Sequence, residues 1–130
     1  MRHVKVLPYH EIPLQPVNLE GAVGCQMRVL VGQEDGAPNF TMRQFEVAPG
    51  GHTPLHSHPY EHEVFVLDGE GWVQVGECRY PLAAGTVVYL PPGVLHQFRN
   101  ESNRPLRFLC LIPNPVRAVD APCVAACCPG

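Results

Sequence analysis

Short runs in which apolar and polar residues alternate recur along the middle of the chain, separated by steps rich in glycine and proline. Alternation with a period of two marks a strand that buries one face. It predicts strands over Thr41–Val47, Glu61–Leu67, Gly71–Val75, Thr86–Leu90, Val94–Arg99 and Leu106–Ile112. Asp68-Gly69 reads as a tight hairpin between two of these runs, and Ala84-Gly85, Pro91-Pro92-Gly93 and Asn103-Arg104-Pro105 mark further turns. Proline or glycine interrupts almost every window long enough to reveal a helical period, so few or no helices are expected. Strands at this spacing predict an all-β barrel or sandwich, placed here in residues 21–112. Residues 1–20 carry Pro8, Pro13 and Pro16 among apolar side chains and read as an arm or edge strand laid on another surface. Residues 113–130 shift to Pro, Ala and Cys and read as a tail outside the barrel.

Composition sharpens this picture. Apolar residues make up 45% of the 130 positions and charged residues 16%, enough to build a core and too little charge for a disordered polyelectrolyte. The net charge is −3 with no cluster of Lys or Arg, which removes the electrostatic footprint of a nucleic-acid partner. No apolar run reaches the ~18 residues of a membrane helix, and the first residues lack the core of a signal peptide, so a cytoplasmic protein without a membrane partner is expected. On that expectation the six cysteines are read as thiols.

Chemistry concentrates in the histidines. Four of the seven, His52, His56, His58 and His62, fall within eleven residues. His56 and His58 are two apart, so on extended backbone both rings leave the same face and can grip one ion. His96 shares strand parity with Val94 and Phe98 and is expected to face inward. His52, beside Gly50-Gly51 and Thr53-Pro54, reads as a solvated turn residue, and His3 and His10 bear no spacing relation to the others.

Gly50, five residues, His56-Ser57-His58, then Gly69, resembles the first motif of the cupins. Gly85, five residues, Pro91-Pro92-Gly93, two residues, His96, three residues and Asn100 match the second motif in full. The resemblance covers residues 50–100 and implies a single small β-barrel, or jelly roll, with a metal inside. The family commonly places a Glu where this chain has His62 and Glu63. His62 keeps both family spacings, with three residues between it and His58 and six between it and Gly69, whereas Glu63 leaves only five between it and Gly69. His62 also shares parity with Val64 and Val66. The stretch from His56 to Leu67, with Ala37-Pro38-Asn39-Phe40 upstream and Phe108 to Pro113 downstream, resembles small bacterial manganese cupins with four-histidine sites. That resemblance implies His56, His58, His62 and His96 as ligands of one divalent transition metal, with Mn favoured and Fe, Ni, Cu or Zn as other ions such a site accepts. Glu61 or Glu63 is expected behind the imidazoles as an acceptor for their N–H groups.

Around this set, Arg43 shares a strand face with Phe45 and Val47, so its guanidinium must find an anion: a carboxylate at the barrel end, or the carboxylate or enolate of a substrate. Phe98 shares parity with His96, and Phe108 and Cys110 share a face of the last strand that the resemblance turns toward the metal. Arg43, Phe98, Phe108 and Cys110 are therefore the expected substrate pocket, and no catalytic residue is assigned. Cys110 reads as a small core side chain or an oxidisable thiol, and Tyr60 as a cover for the cavity mouth or a surface aromatic. Cys123, Cys127 and Cys128 lack a standard zinc spacing.

The expected function is that of a metal-dependent cupin of dioxygenase type acting on a small organic substrate. The alternatives are a small-ligand binding or sensing module, and a metal-assisted isomerase, which would need an inward carboxylate that the pattern does not supply. A homodimer is expected, because the arm carries Val4, Val6, Leu7, Ile12 and Leu14 with little of its own to cover.

Overall fold

The computed structural model describes residues 4–114. His3, the segment from 115 onward and its Cys123, Cys127 and Cys128 lie outside the described residues. Nine strands follow in order: β1 (Gln15–Pro16), β2 (Val23–Val31), β3 (Phe40–His52), β4 (His62–Asp68), β5 (Glu70–Val75), β6 (Cys78–Ala83), β7 (Val87–Leu90), β8 (His96–Arg99) and β9 (Leu106–Pro113). Two 3₁₀ turns, Tyr9–Glu11 and Gln33–Asp35, are the only helical pieces among the described residues. One antiparallel sheet runs β6-β5-β8-β3-β9-β4-β7, with β2 on β3 and β1 on β2. It curls round a core of alternate side chains, giving the expected all-β barrel.

The six expected strands are present, with ends displaced by one or two residues apart from a longer β3. Period two explains their burial. On β4, His62, Val64 and Val66 are buried while Phe65 and Leu67 are exposed; on β9, Leu106, Phe108, Cys110 and Ile112 are buried in strict alternation. β3 is 13 residues long because, besides β2, it serves two neighbours in succession: Phe40 to Val47 pair with β9, and His52 reaches Arg99 of β8.

Two substantial strands go beyond the expected set. β2 alternates Cys25, Met27 and Val29 against Gln26 and Arg28, a pattern weakened by Gly24. β6 contains Pro81, which lacks a ladder donor, yet β6 lies at the end of the sheet, where no neighbour asks for that N–H. The β5–β6 hairpin turns at Gly76-Glu77, with Val75 opposite Cys78.

Asp68-Gly69 is not a hairpin. β4 pairs with β7 and β9, and β5 with β6 and β8, so the chain crosses there from one half of the sheet to the other. Gly69 has φ +89°, and a Cβ at this position would overlap the Pro105 carbonyl and lie 2.9 Å from the Leu106 Cα. Close approach of two backbones, rather than a two-residue turn, is what requires glycine here.

Cys25 and Cys110 are free and buried, as expected for thiols. Cys78 is disulfide-bonded, which corrects the thiol expectation for that residue: the fold brings a second sulfur into bonding geometry, and the bond itself requires an oxidant that takes up two electrons.

Immediately after β8, Asn100 is fully buried. Its Nδ2 donates to the Val47 and Arg104 carbonyls at 2.9 and 2.7 Å, while its Oδ1 accepts from the Ser102 N–H and hydroxyl. The side chain thereby clips the 101–104 loop onto β3.

Gly85 also has positive φ, +90°, but nothing lies within 4 Å of a Cβ built there. Gly85→Ala should therefore cost about 1 kcal/mol for left-handed backbone alone, and Gly69→Ala more than about 3 kcal/mol. Urea unfolding of the two variants checks this, and equal losses would refute the packing argument at Gly69.

Candidate metal centre and pocket

The segment between β3 and β4 carries two of the histidines, His56 and His58, and would be a loose loop were it not stitched to β8. His56 and His96 exchange backbone hydrogen bonds at 3.1 and 2.9 Å, the Thr53 N–H donates to the Phe98 carbonyl at 2.9 Å, and the Gly93 N–H donates to the His58 carbonyl at 2.6 Å. These bonds bring His56 and His58 over His96. His62 enters from the first position of β4, with its ring centroid 5.1 Å from that of His58 and 5.0 Å from that of His96.

His56, His58 and His96 each offer a ring nitrogen, all within 4.8 Å of one another, and could hold a metal ion. The Nε2 atoms of His56 and His58 are 3.0 Å apart. His96 uses Nδ1 to donate to the Val94 carbonyl at 2.9 Å, which leaves the lone pair of Nε2 free. His62 Nδ1 lies 3.2 Å from Cys110 Sγ, and its Nε2 is buried with no hydrogen-bond partner. A buried nitrogen without a partner is costly unless something else meets it, so this donor set fits a borderline transition ion. The partners behind His62 and His96 are a sulfur and a backbone carbonyl rather than the expected Glu61 or Glu63. Glu63 projects from the other face of β4, where burial and then the neighbouring Glu61 raise its carboxyl to about 7.

All four rings are held toward the neutral form. Burial, followed by His56, His96 and Arg43, lowers His58 to about 4. Burial and then His96 and Arg43 lower His62 to about 2. His56 is lowered by burial and Arg43, and His96 by burial against an opposing bond to Val94. Neutral imidazole is the ligating form.

The eight expected site residues, His56, His58, His62, His96, Arg43, Phe98, Phe108 and Cys110, line one cavity of about 170 Å³. Its aromatic wall is a continuous stack: Phe98 on Phe108 at 4.5 Å and Phe108 on Phe45 at 5.2 Å between centroids. Tyr60 also lines the cavity, stacked on His58 at 4.7 Å, and burial raises its phenol above the usual range. Arg43 lies across β3 from Cys110 of β9 and donates to its sulfur at 3.1 Å. It has no carboxylate partner among the described residues, so the expectation of a barrel-end carboxylate fails. Glu46, on the opposite face of β3, is taken by Arg28 and Arg107.

Phe45 and the wall made by Val17, Leu19, Cys25 and Met27 were not expected in the pocket. Phe45 shares parity with Arg43, a signal already present in the sequence. The second wall exists because β1 and β2 fold over the mouth as a hairpin-like pair, with Gln15 opposite Met27. His52 stays apart, with Nδ1 3.3 Å from Gln97 Nε2. Among the described residues no helix is long and apolar enough to cross a membrane.

The family model Cupin_2, described as a cupin domain, matches residues 43–112. The chain is similar to the polyketide cyclase RemF from Streptomyces resistomycificus, with a TM-score of 0.82 and 31% identity over 92% of this chain and 87% of that one. It is 33% identical over 103 residues to Protein SchB of Streptomyces halstedii, covering 78% of this chain and 72% of the relative. A third relative, 1-methylthio-D-xylulose 5-phosphate methylsulfurylase of Rhodospirillum rubrum, is 39% identical over 71 residues, 55% of this chain and 46% of the enzyme. The match thus spans about half the length of that relative.

The lowered imidazoles set the pH dependence of the metal-free protein. Each folded pKa lies below the ordinary 6.5, so below that value the unfolded chain takes up protons that the folded one refuses. Stability is complete above the unfolded pKa and falls as pH drops through the window from ~6.5 toward ~4, by at most about 1.4 kcal/mol per pH unit and group. Half-exposed His56 and His58 contribute less, because water screens them. Melting curves of chelator-treated protein between about pH 7.5 and about pH 4.5 should decline accordingly; a flat profile would contradict it.

Proposed function

Because the chain belongs to the cupin domain family, we propose that its pocket is a metal-dependent active site that closes rings on a polycarbonyl chain, forming a carbon–carbon bond with loss of water. The observation that carries this reading is the pairing of a four-imidazole floor, including the partnerless His62 Nε2, with a wall of stacked Phe98, Phe108 and Phe45. His56, His58, His62 and His96 would hold one divalent ion, manganese by resemblance. When bound, the ion supplies Lewis-acid polarisation of carbonyl oxygens, strengthened because neutral ligands leave its charge uncompensated. The similarity to a polyketide cyclase over nearly the full chain supports the choice of substrate.

The remaining work falls to side chains of the chain itself. An aldol closure removes one proton from a methylene flanked by carbonyls and adds one to the carbonyl oxygen that is attacked, so it is redox-neutral. The phenylalanine stack favours the flat conformer in which both ends of a folded chain meet, and it excludes water from that face. Tyr60, kept protonated by burial, is a proton donor beside His58 for the oxygen that departs as water.

The dioxygenase expected from the sequence stands as the second reading, favoured by a donor set of four that does not fill an octahedron. Product mass separates the two. Metal-replete protein incubated in air with a synthetic 3,5,7-trioxo thioester, whose C2 methylene can close on the C7 carbonyl in a six-membered ring, should yield a product lighter by one water, whereas a product heavier by two oxygen atoms would establish the oxygenase. Retained substrate with no product, with any metal, would leave a binding module. His62→Ala should weaken metal affinity by more than the ~10–100-fold typical of losing an outer-shell partner, and Glu63→Gln should leave it unchanged. Metal bound through Glu63 in place of His62 would reverse that order.

We also propose a homodimer. Val4 and Val6 are 87% and 89% exposed and Phe40 is 62% exposed, an apolar surface that a second copy would cover. Light scattering at micromolar concentration should return twice the chain mass, and should return a monomer once residues 1–12 are deleted.

A further inference from the structure

Every other described arginine has a carboxylate within ion-pair distance: Arg28 and Arg107 share Glu46, Arg79 and Arg99 share Glu101, and Arg104 meets Asp68. Arg43 has none, and it is the arginine that lines the cavity. Its Nη2 donates to Cys110 Sγ at 3.1 Å, a weak acceptor, and its face lies 4.9 Å from the centroid of the Phe45 ring. Its Nε is buried without any acceptor. No Asp or Glu lines the cavity. A half-buried guanidinium, with a buried donor unused and no counter-ion, is costly to the empty protein and recovers that cost when an oxyanion arrives.

From this we infer that Arg43 is the subsite for an anionic oxygen of the ligand, a carboxylate or an enolate, held beside the four histidines. The inference rests on the proposed polycarbonyl substrate and adds to it that the substrate enters with a negatively charged oxygen. The fork of Arg43 has donors to spare, and its Cζ lies over the ring of Phe45, so the oxyanion sets which end of the chain lies against the histidines. Arg43 is thus a binding and orienting residue. Its position on β3 opposite Cys110 fixes the subsite to rigid strand rather than to a loop.

The test is calorimetric titration of zinc-replete protein with three probes: acetoacetate, acetylacetone and cyclohexanone. Acetoacetate carries a carboxylate, acetylacetone only an enolisable diketone, and cyclohexanone neither. Arg43→Met should weaken acetoacetate on the order of tenfold to a hundredfold, the scale of one charge-assisted hydrogen bond, with unchanged metal content. Arg43→Lys should recover part of the loss. If acetylacetone weakens equally, the bound oxyanion is the enolate; if it does not, the bound oxyanion is the carboxylate. Unaltered affinity for both acids, or an equal loss for cyclohexanone, would overturn the inference. Should Arg43→Met fail to fold, the Nε–H proton resonance of Arg43 in the wild-type protein decides: it moves downfield on adding acetoacetate and not on adding cyclohexanone, and an unmoved resonance refutes the subsite. Wild-type metal content and product mass are read separately, so failure of the cyclase reading is distinct from failure at Arg43.

Discussion

Two backbone hydrogen bonds between His56 and His96 hold the site together. They turn an irregular stretch after β3 into an extra rung beside β8, and they are backed by the Thr53–Phe98 and Gly93–His58 bonds on either side. Without this rung His56 and His58 would ride on a loop whose mobility no cluster of imidazoles could survive at fixed geometry. With it, a pair of residues spaced for one face and a residue forty positions away share one floor. Thr53 adds to the rung through its hydroxyl, which accepts the Phe98 N–H at 2.8 Å, so the loop also satisfies a donor that β8 leaves open.

The other half of the site follows from β9, which lies between β3 and β4. Its register sets Arg43 opposite Cys110 on one side and Val64 opposite Cys110 on the other. Cys110 therefore receives Arg43 and His62 together, and Phe108, one inward position along, stacks between Phe45 and Phe98. A single strand thus relates the cation, the aromatic wall and the last histidine. Electrostatics then point one way: four rings kept neutral, one guanidinium, and no carboxylate in the cavity wall. Whatever ligand enters meets a positive, largely apolar pocket.

Much of this was legible along the chain. Period two on β4 and β9 located the inward faces of His62 and Cys110, and the spacing around Gly69 separated His62 from Glu63. The inward cation at position 43 was visible from its alternation with Phe45. Less visible was β2, where Gly24 dilutes the strand pattern, and β6, where Pro81 is tolerated only because the strand is an edge. The acceptors behind the histidines were also misjudged. A carboxylate adjacent in sequence lost to a sulfur 48 residues away, because neighbouring positions on a strand face opposite sides.

The sequence by itself determined the strands with strong alternation, the side each inward residue takes, and the set of histidines, because these follow from backbone geometry over a few residues. Only the tertiary structure decided which strands meet. Asp68-Gly69 has the composition of a hairpin and makes a crossing, since pairing partners are chosen by burial across the whole barrel and not by the two residues at the turn. The same holds for the wall contributed by Val17 and Met27 and for the missing counter-ion of Arg43. An absent partner is a property of everything packed around a side chain, and no local pattern encodes it.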